Sequence, residues 1–263
     1  MVVGLDRFRE HFRGHEANYV LIGGVATQLA LEEAGLTARA TKDLDIVVVA
    51  EALSPAFVQH FWDFVRLGDY KVRAGGQVAI DGTQAKRAVY RFTKPQAEFP
   101  AMLELFSRVP DGVTFEGQGV IVPIPATDDV SSLSAILLDD GYYSLIREAR
   151  TVRAELPVLR EDALIALKAR AWLDLTTRTA AGQAIKPAEI RKHATDILRL
   201  AQLFAPSATV DVPPQIHHDL MQFLADVGPS LGPRLSLEGL PPLDVPRELA
   251  RLVALFGIAQ PSP

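Results

Sequence analysis

The sequence contains the segment Asp43-Leu-Asp-Ile-Val-Val-Val-Ala50, in which two carboxylates stand at the start of a β-branched apolar run. The run predicts a buried strand of about seven residues. Because side chains alternate faces along a strand, Asp43 and Asp45 should project on one side and Leu44 on the other. Two carboxylates on one face are costly unless a cation lies between them, and Mg²⁺ prefers such oxygen ligands. The segment therefore predicts a magnesium site.

A second segment lies upstream, where Tyr19-Val-Leu-Ile-Gly-Gly24 indicates a strand that ends in two glycines before a helix. The backbone N–H groups of Gly23 and Gly24 can approach a phosphate closely at that helix N-terminus. A Gly-Gly pair alone is more often a tight turn, and an Asp-x-Asp alone is more often structural. Their conjunction favours a nucleoside triphosphate held by the glycine amides and by metal on the aspartates.

A third carboxylate, Glu104, stands in the otherwise apolar run over residues 101–107. The simple alternative is an outward-facing or edge-strand glutamate. If the strand is central and lies beside the strand of Asp43 and Asp45, Glu104 becomes a third metal ligand. Three carboxylates can support a two-metal site, in which one metal activates the attacking hydroxyl and the other holds the triphosphate.

The order of predicted elements indicates an α+β fold, with a mixed sheet and helices first and a mainly helical C-terminal part after it. We expect an α/β core over residues 1–160 and a helical region over 161–263 that includes a Pro-rich segment, 206–246. The predicted helices cover 5–15, 25–34, a stretch from Pro55, 131–138, 161–177, 187–204, 216–225 and 247–256. The predicted strands cover 19–22, 43–50, 77–80, 88–92, 101–106 and 119–124, followed by a hairpin over 142–146 and 151–159.

Composition excludes several classes of site and of protein. The 263 residues include no cysteine, which excludes disulfides, thiolate zinc sites, iron–sulfur ligation and thiol catalysis. The chain has 27 Lys+Arg against 32 Asp+Glu, and a net charge of −5 argues against a general nucleic-acid coat protein. Apolar runs are too short to cross a bilayer, and charges stand where a signal peptide needs an apolar stretch. We expect a cytoplasmic protein with no membrane partner.

The charge is unevenly distributed, because residues 147–200 carry 11 Lys/Arg and 7 Asp/Glu. A solvated helical face explains this local excess about as well as an anion-binding wall does. The excess permits an RNA partner without requiring one.

These motifs resemble the polymerase-β-like nucleotidyltransferases, and the match is closest to the AbiEii-type toxin branch. The resemblance rests on Gly23-Gly24, on Arg39-Ala-Thr41-Lys-Asp43-Leu-Asp45 and on the strand of Glu104. It continues through two predicted helices, with Leu164-Ile-Ala-Leu-Lys168-Ala-Arg-Ala-Trp172 and Arg191-Lys-His193-Ala-Thr-Asp196-Ile-Leu-Arg-Leu200. The sequence departs from the family pattern at two points, both near the expected nucleotide site. Val25 stands where many relatives have Ser or Thr, and the interval from Gly24 to Asp43 is longer than in the minimal motif.

The resemblance implies transfer of a nucleotidyl group from a nucleoside triphosphate, with Mg²⁺, onto an acceptor hydroxyl of an RNA end, a protein or a small molecule. It implies a catalytic set of Asp43, Asp45, Glu104 and Lys168, in which the two aspartates hold both metals and Glu104 holds one. It implies nucleotide contacts from Gly23, Gly24, Lys168, Lys192 and Asp196, in which Lys168 reaches the triphosphate and Lys192, His193 and Asp196 line the opposite wall. The branch also implies a toxin–antitoxin or phage-defence role and an antitoxin protein as partner.

Simpler interpretations of single residues stay open. Lys168 can be a helix lysine that extends along apolar surface, and Asp196 can form a local helix pair with Lys192 or His193. Arg39 and Thr41 are better explained as orienting the aspartate strand than as substrate contacts. Trp172 is expected in the core, and His217-His218 at a solvated helix start.

Three other functions compete with the leading hypothesis. The first is a small-molecule (antibiotic-type) nucleotidyltransferase with the same fold, which would need a more acidic acceptor pocket. The second is a non-catalytic nucleotide- or partner-binding module with that fold, against which the presence of all three carboxylates counts. The third is a purely structural partner of another gene product.

Overall fold

The computed structural model describes residues 2–52, 54–73, 87–108, 139–237 and 239–258. The chain forms two compact units, each assembled from separate segments. The first unit comprises Met1–Ala26, Ala40–Asp140 and Arg150–Leu159, and the second comprises Thr27–Arg39, Gly141–Ala149 and Arg160–Pro263. The chain therefore passes several times from one unit to the other, and the domain boundary at residue 160 stays a prediction.

The regular elements alternate between strands and helices early in the chain and are mostly helical later. The helices are α1 Leu5–His11, α2 Gly23–Glu33, α3 Pro55–Leu67, α4 Asp140–Glu148, α5 Glu161–Ala180, α6 Pro187–Ala201, α7 Pro214–Leu231 and α8 Val245–Leu255. The strands are β1 Tyr19–Ile22, β2 Asp43–Val48, β3 Lys71–Arg73, β4 Arg87–Thr93, β5 Met102–Arg108, β6 Arg150–Arg153, β7 Leu156–Leu159, β8 Arg234–Leu237 and β9 Leu240–Asp244.

The first unit contains a mixed sheet, which has seven strands among the described residues, in the order β3-β4-β5-β2-β1-β7-β6. Strand β2 runs parallel to β5 and antiparallel to β1, and β1 runs parallel to β7. The predicted α+β class with a mixed sheet is confirmed. Strand β5 lies between β2 and β4, so Glu104 is not on an edge strand.

Aromatic and aliphatic side chains from two helices cover the sheet of this unit. The four residues of β1 are fully buried, and α3 buries Phe57, Phe61 and Phe64, as its apolar stripe predicts. From α1, the ring of Phe8 meets Tyr19 and Phe64 edge to face, with centroids 5.5 Å apart in each pair. Such edge-to-face pairs add to the free energy of apolar burial.

The second unit is mainly helical, as predicted for the C-terminal part. Helix α5 packs against α6 and α7, and α8 packs against the same two helices. Trp172 of α5 is buried and meets Phe223 of α7 edge to face at 5.3 Å between centroids, which confirms its place in the core. His217 is partly exposed and His218 is exposed in the first turns of α7.

The predicted strand over 142–146 is wrong, because these residues belong to α4. Four of its side chains are buried, Tyr142, Tyr143, Leu145 and Ile146, and their spacing of three and four residues is that of one helix face. The single strand predicted over 151–159 is instead a hairpin of β6 and β7. Its turn consists of Ala154 and Glu155, at φ values of 47° and 60°. Such a turn is usually predicted from glycine or asparagine, and neither is present here.

Other predictions differ at their ends or lie outside the described residues. Helix α7 is longer than the predicted helix over 216–225, and the β8–β9 hairpin in the Pro-rich segment was not predicted. The described antiparallel partners of β4 are β3 and β5. The strands predicted over 77–80 and 119–124 and the helix predicted over 131–138 lie outside the described residues.

Within the ranges that the structure describes, no helix is both long enough and apolar enough to cross a membrane.

Candidate active site

Strand β2 places Asp43 and Asp45 on one face of the sheet. Both side chains are half-buried, and Leu44 between them is fully buried on the opposite face. From Ile46 onward every described residue of the strand is buried, so the two carboxylates lie at the end where the strand leaves the core. The parallel neighbour β5 continues the same face, since Asp45 is the register partner of Glu104.

The two glycines lie against the side chains of this strand and of the segment before it. A Cβ atom on Gly23 would be 2.9 Å from Cγ of Asp45 and closer still to its Oδ2. A Cβ atom on Gly24 would be 2.7 Å from Oγ1 of Thr41. Gly23 also has a φ of +62°, a conformation that L side chains rarely adopt. Glycine at both positions therefore lets the Asp45 carboxylate and the Thr41 hydroxyl reach the first turn of α2.

Glu104 has a cationic partner on its other side. In the antiparallel pairing of β4 with β5, Arg91 stands directly opposite Glu104. The Arg91 Nε–H donates to Glu104 Oε1 at 2.6 Å, and a second guanidinium nitrogen forms an ion pair with the same oxygen. Both side chains are largely covered, with 16% and 13% of their surface exposed. No sequence pattern singles out Arg91, because its relation to Glu104 exists only through the register of β4 and β5.

The donor chemistry of these residues fits a hard divalent cation, but the described arrangement is not a closed metal site. No group of three or more His, Cys, Asp or Glu side chains in the described ranges is placed to hold a metal ion. Glu104 bonds to Arg91 on β4, whereas Asp45 packs against Gly23 at the start of α2. Of the three predicted metal ligands, Asp43 and Asp45 lie on the same strand, whereas Glu104 lies on β5.

The second unit holds a separate buried cluster centred on Asp196 of α6. Lys168 of α5 donates from Nζ to Asp196 Oδ2 at 2.8 Å, and Arg39 donates from Nη2 to the same oxygen at 3.3 Å. Lys168 is 6% exposed and Asp196 is 2% exposed, so neither head group lies in bulk water. The alternative of Lys168 as a lysine that extends along apolar surface to place its ammonium in water is therefore wrong. Arg39 contacts Asp196 on α6, and its predicted role in orienting β2 stays a prediction.

The charges of this cluster determine its protonation. Burial by itself would raise the pKa of Asp196, but the positive charges of Lys168 and Arg39 outweigh it and hold that pKa below its usual value. Asp196 is therefore ionised at neutral pH. The predicted local pair of Asp196 with Lys192 is not what the structure shows, because Lys192 forms an ion pair with Glu189.

His193 lies beside this cluster on α6. Its Nδ1 atom is buried and has no hydrogen-bond partner among the described residues. Burial, and then the charges of Lys168 and Lys192, hold the pKa of His193 well below its usual range. The imidazole is therefore neutral at physiological pH, and its Nδ1 atom is a buried polar atom without a hydrogen bond to the described residues.

The predicted site residues are thus found in two groups. Gly23, Gly24, Asp43, Asp45 and Glu104 lie in the first unit, joined by the pairing of β1, β2 and β5. Lys168, Lys192 and Asp196 lie in the second unit, on α5 and α6. The roles of all eight residues toward metal and nucleotide stay predictions.

Comparisons with known proteins add little to these observations. No protein-family model and no curated protein matches the chain. Among solved structures, JHP933 from Helicobacter pylori matches with a TM-score of 0.41 and 13% identity, over 95% of this chain and 87% of that chain. A second structure, described as "putative nucleotidyltransferase from H. pylori", matches with a TM-score of 0.39 and 14% identity, over 95% and 91%. Likeness at this level carries no argument about activity.

Proposed function

We propose that the chain is a Mg²⁺-dependent nucleotidyltransferase, which moves a nucleoside monophosphate from a nucleoside triphosphate to an acceptor hydroxyl. The acceptor is an RNA end, a protein or a small molecule, and the biological setting is a toxin–antitoxin or phage-defence pair with an antitoxin protein as partner. The observation that carries the proposal is the row of carboxylates at one sheet face. Asp43, Asp45 and Glu104 occupy two neighbouring parallel strands, and the glycine turn packs against Asp45.

In this proposal Asp43 and Asp45 hold the metal, and Glu104 is the third ligand. Bound Mg²⁺ supplies Lewis-acid polarisation of the phosphoryl group and lowers the pKa of the attacking hydroxyl. The chain itself supplies positioning, which is the larger part of catalysis when a phosphoryl group is transferred in line. Gly23 and Gly24 keep the backbone of α2 close to the carboxylates, and Lys168, Lys192 and Asp196 are the proposed nucleotide contacts of the second unit.

The proposal is tested by incubating the protein with each labelled nucleoside triphosphate, Mg²⁺ and total cell extract, and then separating RNA from protein. We expect label in one fraction with wild type and a loss of at least about 100-fold with Asp43→Asn or Asp45→Asn, since removal of a metal ligand removes the charge stabilisation. Asp63→Asn is the matched control, because Asp63 pairs with Arg66 on the exposed face of α3. Equal labelling by wild type and both site variants would refute catalysis.

A non-catalytic nucleotide-binding module is the second candidate, and one observation favours it. Glu104 is bonded to Arg91, and no three acidic or histidine side chains of the described residues converge on one point. In that case nucleotide with Mg²⁺ would raise the melting temperature through binding to the native state, and no label would be transferred. A purely structural protein would show neither effect.

A further inference from the structure

Three charged side chains form a row across three adjacent strands of the sheet. Asp45 on β2 is the register partner of Glu104 on β5, and Glu104 is the register partner of Arg91 on β4. Register partners on neighbouring strands point to the same face of a sheet. Glu104 therefore stands between another carboxylate on one side and a guanidinium on the other.

The guanidinium of Arg91 supplies the positive charge of this row. Its N–H donors form a rigid fork that suits a carboxylate. Two atoms of the guanidinium approach the same Glu104 oxygen, and neither side chain is more than 16% exposed. At such coverage water screens the pair less than it screens a surface salt bridge.

We infer that Arg91 is a built-in counter-ion for Glu104 that competes with the divalent cation. Arg91 holds the Glu104 carboxylate when no cation is bound, and it lowers the affinity of the carboxylate row for metal by bonding to one ligand and by repelling the incoming positive charge. The inference rests on the proposed function, since it takes Asp43, Asp45 and Glu104 to be the metal ligands. Arg91 is then a positioning residue, which acts on the metal through Glu104.

A cross-strand ion pair with a merely structural role makes a different prediction. Its loss would lower the stability of the first unit, because a largely covered carboxylate would lose its partner. It would leave metal affinity unchanged or would weaken it, because a less ordered ligand binds less well. A competing counter-ion predicts instead that metal affinity rises when the positive charge is removed, because the Glu104 carboxylate is then free to bind the cation and the repulsion is gone.

The experiment is a titration with Mn²⁺ in the absence of nucleotide, in which electron paramagnetic resonance measures the concentration of free ion. The four proteins are wild type, Arg91→Gln, Arg91→Lys and Arg66→Gln. We expect Arg91→Gln to bind Mn²⁺ about tenfold more tightly than wild type, since a unit charge a few ångströms from a divalent ion changes affinity by about that factor in partly solvated surroundings. Arg91→Lys keeps the charge and should stay within about threefold of wild type. Arg66→Gln removes one positive charge from an exposed pair on α3 and should not change affinity.

The outcomes separate the inference from the proposed function. If wild type binds Mn²⁺ and Arg91→Gln binds it equally or more weakly, the inference is overturned and the metal site stands. If neither protein binds Mn²⁺, both fail. If Arg91→Gln does not fold, the wild-type protein can be tested by nuclear magnetic resonance of the Arg91 Nε–H group. This resonance is assigned by its absence from the spectrum of Arg91→Lys. The inference expects that resonance to shift as Mg²⁺ is added, and a resonance that stays unchanged while Mg²⁺ binds contradicts it.

Discussion

At Gly23 a single hydrogen atom stands where any other residue would place a Cβ atom against the Asp45 carboxylate. Two separate effects oppose a side chain at this position, the positive φ and the lack of space. Gly14 has the first effect without the second, because its φ is +85° and no heavy atom lies within 4 Å of an added Cβ. The two glycines therefore form a matched pair for substitution.

We expect Gly14→Ala to lower the free energy of unfolding by about 1–2 kcal/mol, the cost of a left-handed conformation for an L residue. Gly23→Ala should cost about 1–3 kcal/mol more, because the Asp45 carboxylate must move away from the added methyl group. Urea denaturation of both variants measures the difference. Equal losses would mean that Asp45 moves without cost and that Gly23 is not needed for its position.

Among the residues of this cluster, Asp196 should make the free energy of unfolding depend on pH most clearly. Its folded pKa lies below its unfolded value of 3.8, so the ionised carboxylate contributes stability above that pH, and the contribution is lost as the pH falls through the folded pKa. We expect Asp196→Asn to lose about 2–4 kcal/mol at pH 7, because Lys168 and Arg39 are left without their anion. The difference from wild type should shrink as the pH falls below about 4.

Urea denaturation between pH 3 and pH 7 measures this dependence. Asp226→Asn on the exposed part of α7 is the control and should follow wild type throughout. A difference between wild type and Asp196→Asn that is constant over the whole range would show that the ionised form of Asp196 is not the stabilising one.

At the scale of single elements, the β6–β7 hairpin carries an unfavourable turn. Ala154 and Glu155 both have positive φ values, which are those of a type I′ turn, and neither residue type favours them. Replacing the pair with Asn-Gly, the preferred sequence of this turn, should raise the free energy of unfolding by about 0.5–1.5 kcal/mol.

Thermal denaturation followed by circular dichroism measures this gain. Ala188 in the exposed first turn of α6 serves for comparison, since Ala188→Asn has no turn to improve and should be neutral or slightly destabilising. If the Asn-Gly variant melts at or below the wild-type temperature, the backbone of the turn is not the source of strain that its φ values indicate.

At the scale of the whole molecule, the two compact units do not follow the order of the chain. The second unit includes Thr27–Arg39 and Gly141–Ala149, both of which precede residue 160. Two buried aspartates of this unit take partners from those segments. Asp196 binds Arg39, and Asp219 accepts a hydrogen bond from the Tyr142 hydroxyl at 2.8 Å.

The predicted boundary at residue 160 can therefore be tested by dividing the chain. We expect a fragment of residues 161–263 to lack a cooperative thermal transition, because Asp196 and Asp219 lose partners and the apolar faces covered by the earlier segments become exposed. A mixture with a fragment of residues 1–160 should regain helicity. Cooperative melting of the isolated 161–263 fragment would establish the boundary as a true domain limit.

Local sequence patterns were enough to predict the elements whose side-chain periods are clear. The β-branched residues after Asp45 favour a strand, and the aromatic stripe from Phe57 to Phe64 favours a helix face that packs on a core, because local sterics and the hydrophobic effect act on neighbouring residues. The segment over 142–146 shows the limit of this reasoning, since a short apolar run fits a strand and a helix face equally well.

Tertiary structure alone decided which distant residues meet. The ion pair of Arg91 with Glu104 follows from the register of β4 and β5, and the burial of Lys168 against Asp196 follows from the packing of α5 on α6. Both are long-range contacts, whose geometry depends on pairing and packing between segments and not on local residue preferences. The physical reason is that a motif specifies the chemistry of its own side chains, whereas their partners, their burial and hence their charge state are properties of the folded chain.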